Sequence, residues 1–137
     1  MRPAIMTPEP TPTERELDIL KILWQWDEAS VRQVYEEMRK ELPIVQNTVQ
    51  AFLRMMEEKG LVAHRVEGRA FIYRPLVKRE RTNRRLASRL LQKVFDGAID
   101  QLVQSIFSER QPEADELARL EALIAKAKSG HGRTKQR

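Results

Sequence analysis

One glycine, Gly60, separates a helical pattern from a strand pattern, and that boundary limits the possible folds more than any other feature of the chain. Upstream, over about 46–59, Val49, Phe52, Leu53 and Met56 recur at three- and four-residue spacing, which places one apolar stripe on a helix. Glycine enters the left-handed region without a Cβ penalty, so Gly60 is read as the helix stop. Downstream, residues 61–66 and 70–74 read as two strands, in which Val66, Phe71, Ile72 and Tyr73 suit a pleated surface. Glu67-Gly68-Arg69 forms the turn between them, with Gly68 free to take positive φ. Pro43 and Pro75 close the stretch at its two ends.

Two further helices precede it. Thr13 and Glu16 have capping-box spacing, and Leu17, Leu20 and Trp24, with Leu23 beside them, predict a first helix ending near Trp26. Ser30 caps a second over about 31–41, where Val31, Val34, Tyr35 and Met38 share a face. Helix, helix, helix, hairpin is the order of a winged helix-turn-helix. The expected fold is therefore mostly α: three helices plus a β-hairpin wing over 13–77. A Pro-rich disordered segment (1–12) precedes it. A helical region (78–128) and a basic flexible tail (129–137) follow.

The third helix, roughly 20 Å long, fits a DNA major groove about 12 Å wide. At about 100° per residue, its solvent side carries Asn47, Ala51, Arg54 and Glu58, flanked by Thr48, Gln50 and Met55. Gln50 presents an amide suited to adenine and Arg54 a donor suited to guanine, while Ala51 and Thr48 suit a thymine methyl or a phosphate. Gln46 and Asn47 stand at the helix start, where backbone amides favour phosphate. Arg65 and Arg69 on the hairpin are expected to reach the neighbouring backbone or minor groove. The net charge of +5 is concentrated there. From 61 to 93, Arg65, Arg69, Arg74, Lys78, Arg79, Arg81, Arg84, Arg85, Arg89 and Lys93 are opposed only by Glu67 and Glu80. Acids dominate from 94 to 125.

The region after Leu76 carries three apolar stripes: Leu86, Leu90 and Val94; Ile99, Leu102, Val103 and Ile106; and Leu117, Leu120 and Ile124. It is too short to build its own monomeric core, so these residues are expected to pair with a second copy in a homodimer.

Other chemistry is poorly supplied. The chain has no cysteine, and its two histidines, His64 and His131, are far apart, so no metal-ligand spacing exists. His64 is expected on a strand surface. No nucleophile motif or phosphate-binding loop is visible, so neither an enzyme nor a cofactor is expected. No apolar run reaches the roughly 18 residues that span a bilayer, which makes the cytoplasm the default location. Two other readings compete with DNA binding by a repressor: a winged-helix regulator under a small-molecule effector, and a winged-helix protein-interaction module that does not bind DNA.

The runs TVQAFLRMMEEKGLV and GRAFIYRPLV, with the opening TERELDILKILW, resemble the BlaI/MecI/CopY family of penicillinase-type repressors. The likeness covers 13 to about 78 most clearly and continues to about 125. It implies a winged-helix domain, a helical dimerisation domain and a palindromic double-stranded DNA operator, with Thr48, Gln50 and Ala51 facing bases or phosphates. Many members have Thr or Ser where this chain has Ala51, and Arg where it has Met55. In the best-known members a membrane metalloprotease sensor triggers cleavage within the dimerisation half. The corresponding position is near Ser105-Ile106, where the Asn-Phe pair of those members is absent. The cysteine cluster of the copper-sensing branch is also absent.

Overall fold

The computed structural model of the chain describes residues 9–135, the side chains of 132–135 excepted. In chain order the elements are α1 (Glu14–Trp26), β1 (Ala29–Ser30), α2 (Val31–Met38), α3 (Gln46–Lys59), β2 (Val62–Glu67), β3 (Ala70–Pro75), α4 (Arg79–Phe95), α5 (Ile99–Glu109) and α6 (Ala114–Lys135). They form two compact units, one ending at Arg89 and the other beginning at Leu90. The divide lies inside α4, whereas the sequence suggested a break at 77/78. Thr82 in the first turns of α4 is buried, which ties this end of the helix into the first unit.

The first unit is a winged helix. Ile19, Leu20 and Leu23 of α1, Val34 and Met38 of α2, and Val49, Leu53 and Met56 of α3 meet Leu61, Val62 and Tyr73 in one core. Phe52 is only half-buried at its margin. Both expected caps are formed. Thr13 Oγ1 accepts from the Glu16 amide at 3.3 Å, and Ser30 Oγ accepts from the Gln33 amide at 3.1 Å. In each case the third residue's side chain accepts in return from the cap amide.

The buried face of α1 is turned from the expected one. Glu16, Ile19, Leu20 and Leu23 point inward, while Leu17 and Trp24 are half-buried. Ile19, Leu20 and Leu23 fill the core, and Glu16 shares their face because its charge is paired. Glu16 is 2% exposed, and Lys59, at the end of α3, donates to both its carboxylate oxygens at 2.9 and 2.8 Å. A buried carboxylate without such a partner would cost several kcal/mol, on the order of the ion's desolvation. Trp24 instead uses its indole N–H, donating to the Val77 carbonyl at 2.9 Å.

Helix α2 ends at Met38 rather than near 41. Residues 39–42 form a tighter turn in which the Glu41 and Leu42 amides both donate to the Met38 carbonyl. Leu42 precedes Pro43, which disfavours the helical region there. Helix α3 ends as expected. Gly60 has φ 89°, its amide donates to the Glu57 carbonyl, and the Leu61 amide donates to Met56 at 2.9 Å. These two bonds make a Schellman cap, with Met56 and Leu61 buried against it.

The sheet has three strands in the order β1-β3-β2, all antiparallel. Gly68 (φ 64°) and Arg69 connect Glu67 to Ala70 in a two-residue turn. Positive φ at the first turn residue alone is the type II′ pattern, which matches strand twist. Strand β1 was not expected.

The N-terminal segment is partly ordered, against expectation. Residues 1–8 lie outside the described residues, but Pro12 is buried and Glu9 is anchored to α4. Arg81 Nε meets the Glu9 carboxylate at 2.8 Å, and Arg85 donates to the Glu9 carbonyl at 2.6 Å.

The second unit contains the end of α4, α5 and α6. Asp96 (φ 51°) and Gly97 (φ 87°) end α4, with the Gly97 amide donating to Leu91 at 3.0 Å. Helix α6 runs to Lys135, so residues 129–135, expected as tail, are helical, and 136–137 lie outside the described residues. No proline follows Pro112 to stop it. Arg110 forks onto Glu116 at 3.1 and 3.0 Å, and the Glu113 amide donates to the same carboxylate at 3.1 Å. The Arg110 bonds and then the Glu113 amide hold the Glu116 carboxyl at about 2, below the ordinary carboxylate range.

Candidate nucleic-acid interface

Burial of Val49, Leu53 and Met56 fixes which side of α3 faces solvent. That side presents Asn47, Thr48, Ala51, Arg54 and Met55 as exposed residues, with Gln46 and Gln50 half-buried at its edge. The cap residue Val45 offers no side-chain acceptor to the first amides of the helix. The Thr48 amide donates to the Val45 carbonyl at 3.1 Å, so the Gln46 and Asn47 amides are the ones left to an oxygen from outside, a phosphate for instance.

The wing stands beside this helix, and its register sorts its residues onto two faces. His64 lies opposite Tyr73 and Val66 opposite Phe71, so these side chains share one face of the hairpin. This face meets α3. His64 Nδ1 lies 2.7 Å from the Glu57 carboxylate, and its ring stacks on Phe71 at 4.3 Å. His64 is thus a half-buried junction residue, not the plain surface residue expected. Burial pushes the Tyr73 phenol up, Glu57 adds to that, and the positive charge of Arg54 acts against it. Arg54 therefore sits where helix and wing meet.

Arg65 and Glu67 alternate onto the opposite face. There Arg65 donates to Glu28 at 2.8 Å and to Glu67 at 3.1 Å. Its guanidinium is raised above its ordinary value, first by the Glu28 hydrogen bond. The structure thus keeps Arg65 apart from the α3 set and pairs it with two carboxylates. Arg69, at the turn, joins the α3 set. A groove of about 370 Å³ runs between the start of α2, α3 and the wing turn, lined by Ser30, Arg32, Gln46, Gln50, Arg69 and Phe71. Arg32 and Phe71 were not anticipated. A base two positions past the Ser30 cap was the only sequence sign of Arg32.

The ten C-terminal residues assigned to dimerisation are half-buried or exposed. In the second unit Val103, Ile106 and Phe107 of α5 face Leu120 and Leu123 of α6 across an apolar groove of about 390 Å³. Leu123 is 63% exposed. Ser105 and Ile106 lie in the middle of α5 and are exposed. Among the described residues no group of His, Cys, Asp and Glu could hold a metal ion, and no helix is long and apolar enough to cross a membrane.

A polar, solvent-facing third helix flanked by an arginine-tipped hairpin defines a winged helix-turn-helix protein. The family model described as penicillinase repressor matches residues 12–126. The chain belongs to that penicillinase repressor family. It is 22% identical over 120 residues to the penicillinase repressor of Bacillus licheniformis, covering 88% of this chain and 94% of that protein. It is 21% identical over 111 residues to the methicillin resistance regulatory protein MecI of Staphylococcus aureus, covering 81% of this chain and 90% of that protein. The solution structure of the DNA-binding domain of the repressor BlaI aligns with 29% identity and a TM-score of 0.48, covering 53% of this chain and 89% of that one.

Proposed function

We propose that this repressor binds a palindromic double-stranded operator as a homodimer in the cytoplasm. Each copy lays α3 in the major groove, where Gln50 and Arg54 read base edges and Asn47, Thr48 and Ala51 contact bases or phosphates. Gln46 and Arg69 hold the flanking backbone. Arg65 reaches a phosphate only by leaving Glu28 and Glu67. The α5–α6 apolar groove, with the stripes from Leu86 to Ile124, pairs with the same surface of a second copy. Relief of repression follows cleavage in that half by a membrane metalloprotease sensor, in the region near Ser105-Ile106, where α5 must first open. The observation that carries the reading is the polar outer side of α3, left uncovered beside the wing.

Selection of bound duplexes from a random pool, with sedimentation of the free protein, tests it. A symmetric motif with half-sites about 34 Å or a multiple apart, and a dimer in solution, is the expected result. A monomer that gives no discrete footprint would overturn it.

A further inference from the structure

We propose that Arg32 of α2 binds phosphate, and that with Arg69 it grips one phosphodiester strand of duplex DNA in the groove beside α3. This rests on the operator-binding reading and adds a residue to it. The groove carries an arginine on each wall, at the start of α2 and at the wing turn, and no carboxylate lines it. The ligand it selects is anionic. Its remaining polar lining is Ser30, whose hydroxyl is engaged as the α2 cap, and Gln46 and Gln50 of α3, so that anion lies against the recognition helix. The anion that accompanies a helix into a major groove is the sugar–phosphate strand at the groove's edge. Phe71, 40% exposed, offers an apolar surface to the sugar.

The two arginines are free for this work to different degrees than Arg65. Arg32 is held only by its Nε, which donates to Glu36 at 3.1 Å one helical turn along. Both terminal nitrogens remain, and they form the fork that matches two phosphate oxygens. Its side chain is 70% exposed, so a phosphate can reach it without displacing any part of the protein. Arg69 forms no ion pair with the described residues, whereas Arg65 is engaged by two carboxylates. The strand therefore passes on the Arg32–Arg69 side of the wing.

The test compares full-length wild type, Arg32→Ala and Arg32→Lys on operator and random duplexes across a salt series. Arg32→Ala is expected to weaken both duplexes alike, about tenfold at low salt, and to flatten the slope of log affinity against log salt by about one. Arg32→Lys restores the slope but not all the affinity, because the fork is lost. Neutral methylphosphonate linkages placed singly along the operator locate the contact: one or two linkages that weaken wild type leave Arg32→Ala unaffected. An unchanged melting temperature for Arg32→Ala confirms that only an exposed pair was lost. Affinity, slope and linkage sensitivity equal to wild type would overturn the grip, as would a loss confined to the operator. Wild type that binds duplexes without sequence preference sinks the operator reading, while the salt slope still decides the role of Arg32.

Discussion

Removing the ammonium of Lys59 tests how α1 and α3 are fastened. Lys59→Met keeps an unbranched side chain and deletes the charge. The Glu16 carboxylate, 2% exposed, then retains only the Thr13 amide at 3.0 Å. Stripping one partner from a fully buried pair costs about 3–5 kcal/mol. Lys59 is 36% exposed, so water reaches the vacated side and recovers part of that cost. The expected loss is about 2–3 kcal/mol. In a unit of this size that lowers Tm by about 8–24 °C. Tryptophan fluorescence during thermal or urea unfolding is the assay, because both tryptophans, Trp24 and Trp26, lie in α1. Lys40→Met is the control. Its exposed pair with Glu37, at 3.0 Å, should contribute no more than about 0.5 kcal/mol. Adding Glu16→Gln to Lys59→Met should recover much of the loss, since the amide oxygen still accepts from Thr13 and no charge stays buried. A loss for Lys59→Met no greater than for Lys40→Met would refute the view that this pair is integral to the core.

Gly60→Ala forces a Cβ into φ 89° and should cost about 1–2 kcal/mol, read as a lower Tm, although nothing lies within 4 Å to clash. Glu116 titrates at about 2 in the folded protein against an ordinary 4.5. Its contribution to stability is complete above the ordinary value and is lost as pH falls from there through about 2, because the depressed value belongs to the folded state. A carboxyl NMR titration should show that low midpoint and its return upward in Arg110→Gln. Finally, Arg69→Ala should weaken all duplexes, whereas Arg54→Ala and Gln50→Ala should weaken the operator more than random DNA. Equal losses on both in gel-shift titrations would count against base reading by Arg54 and Gln50.

Much of the winged helix was visible in the sequence because its boundaries are local. Thr13, Ser30, Gly60 and Gly68 act through neighbours within five residues, so spacing alone located them. The misreadings arise where distant residues decide. Strand β1 is two residues long and exists only because Ala29 and Ser30 pair with Tyr73 and Ile72. Glu16 looks like a surface cap residue until Lys59, 43 positions later, draws it inside. Arg65 looked free because Glu28 lies 37 positions away. Glu9 is fixed by Arg85, 76 positions on. Arg32 stood apart in sequence from the residues with which it shares a groove.

The cap at Gly60 has one more consequence. Only Gly60 and Leu61 separate α3 from β2, and the Leu61 carbonyl accepts from the Leu76 amide at 2.9 Å. The short link and this bond tie the hairpin to the end of the helix, and in the proposed operator complex the two would act as the jaws of a caliper. A duplex whose groove is too wide or too narrow satisfies one jaw at the expense of the other. Base pairs that neither jaw touches then still influence affinity, through the work of bending them to that gauge.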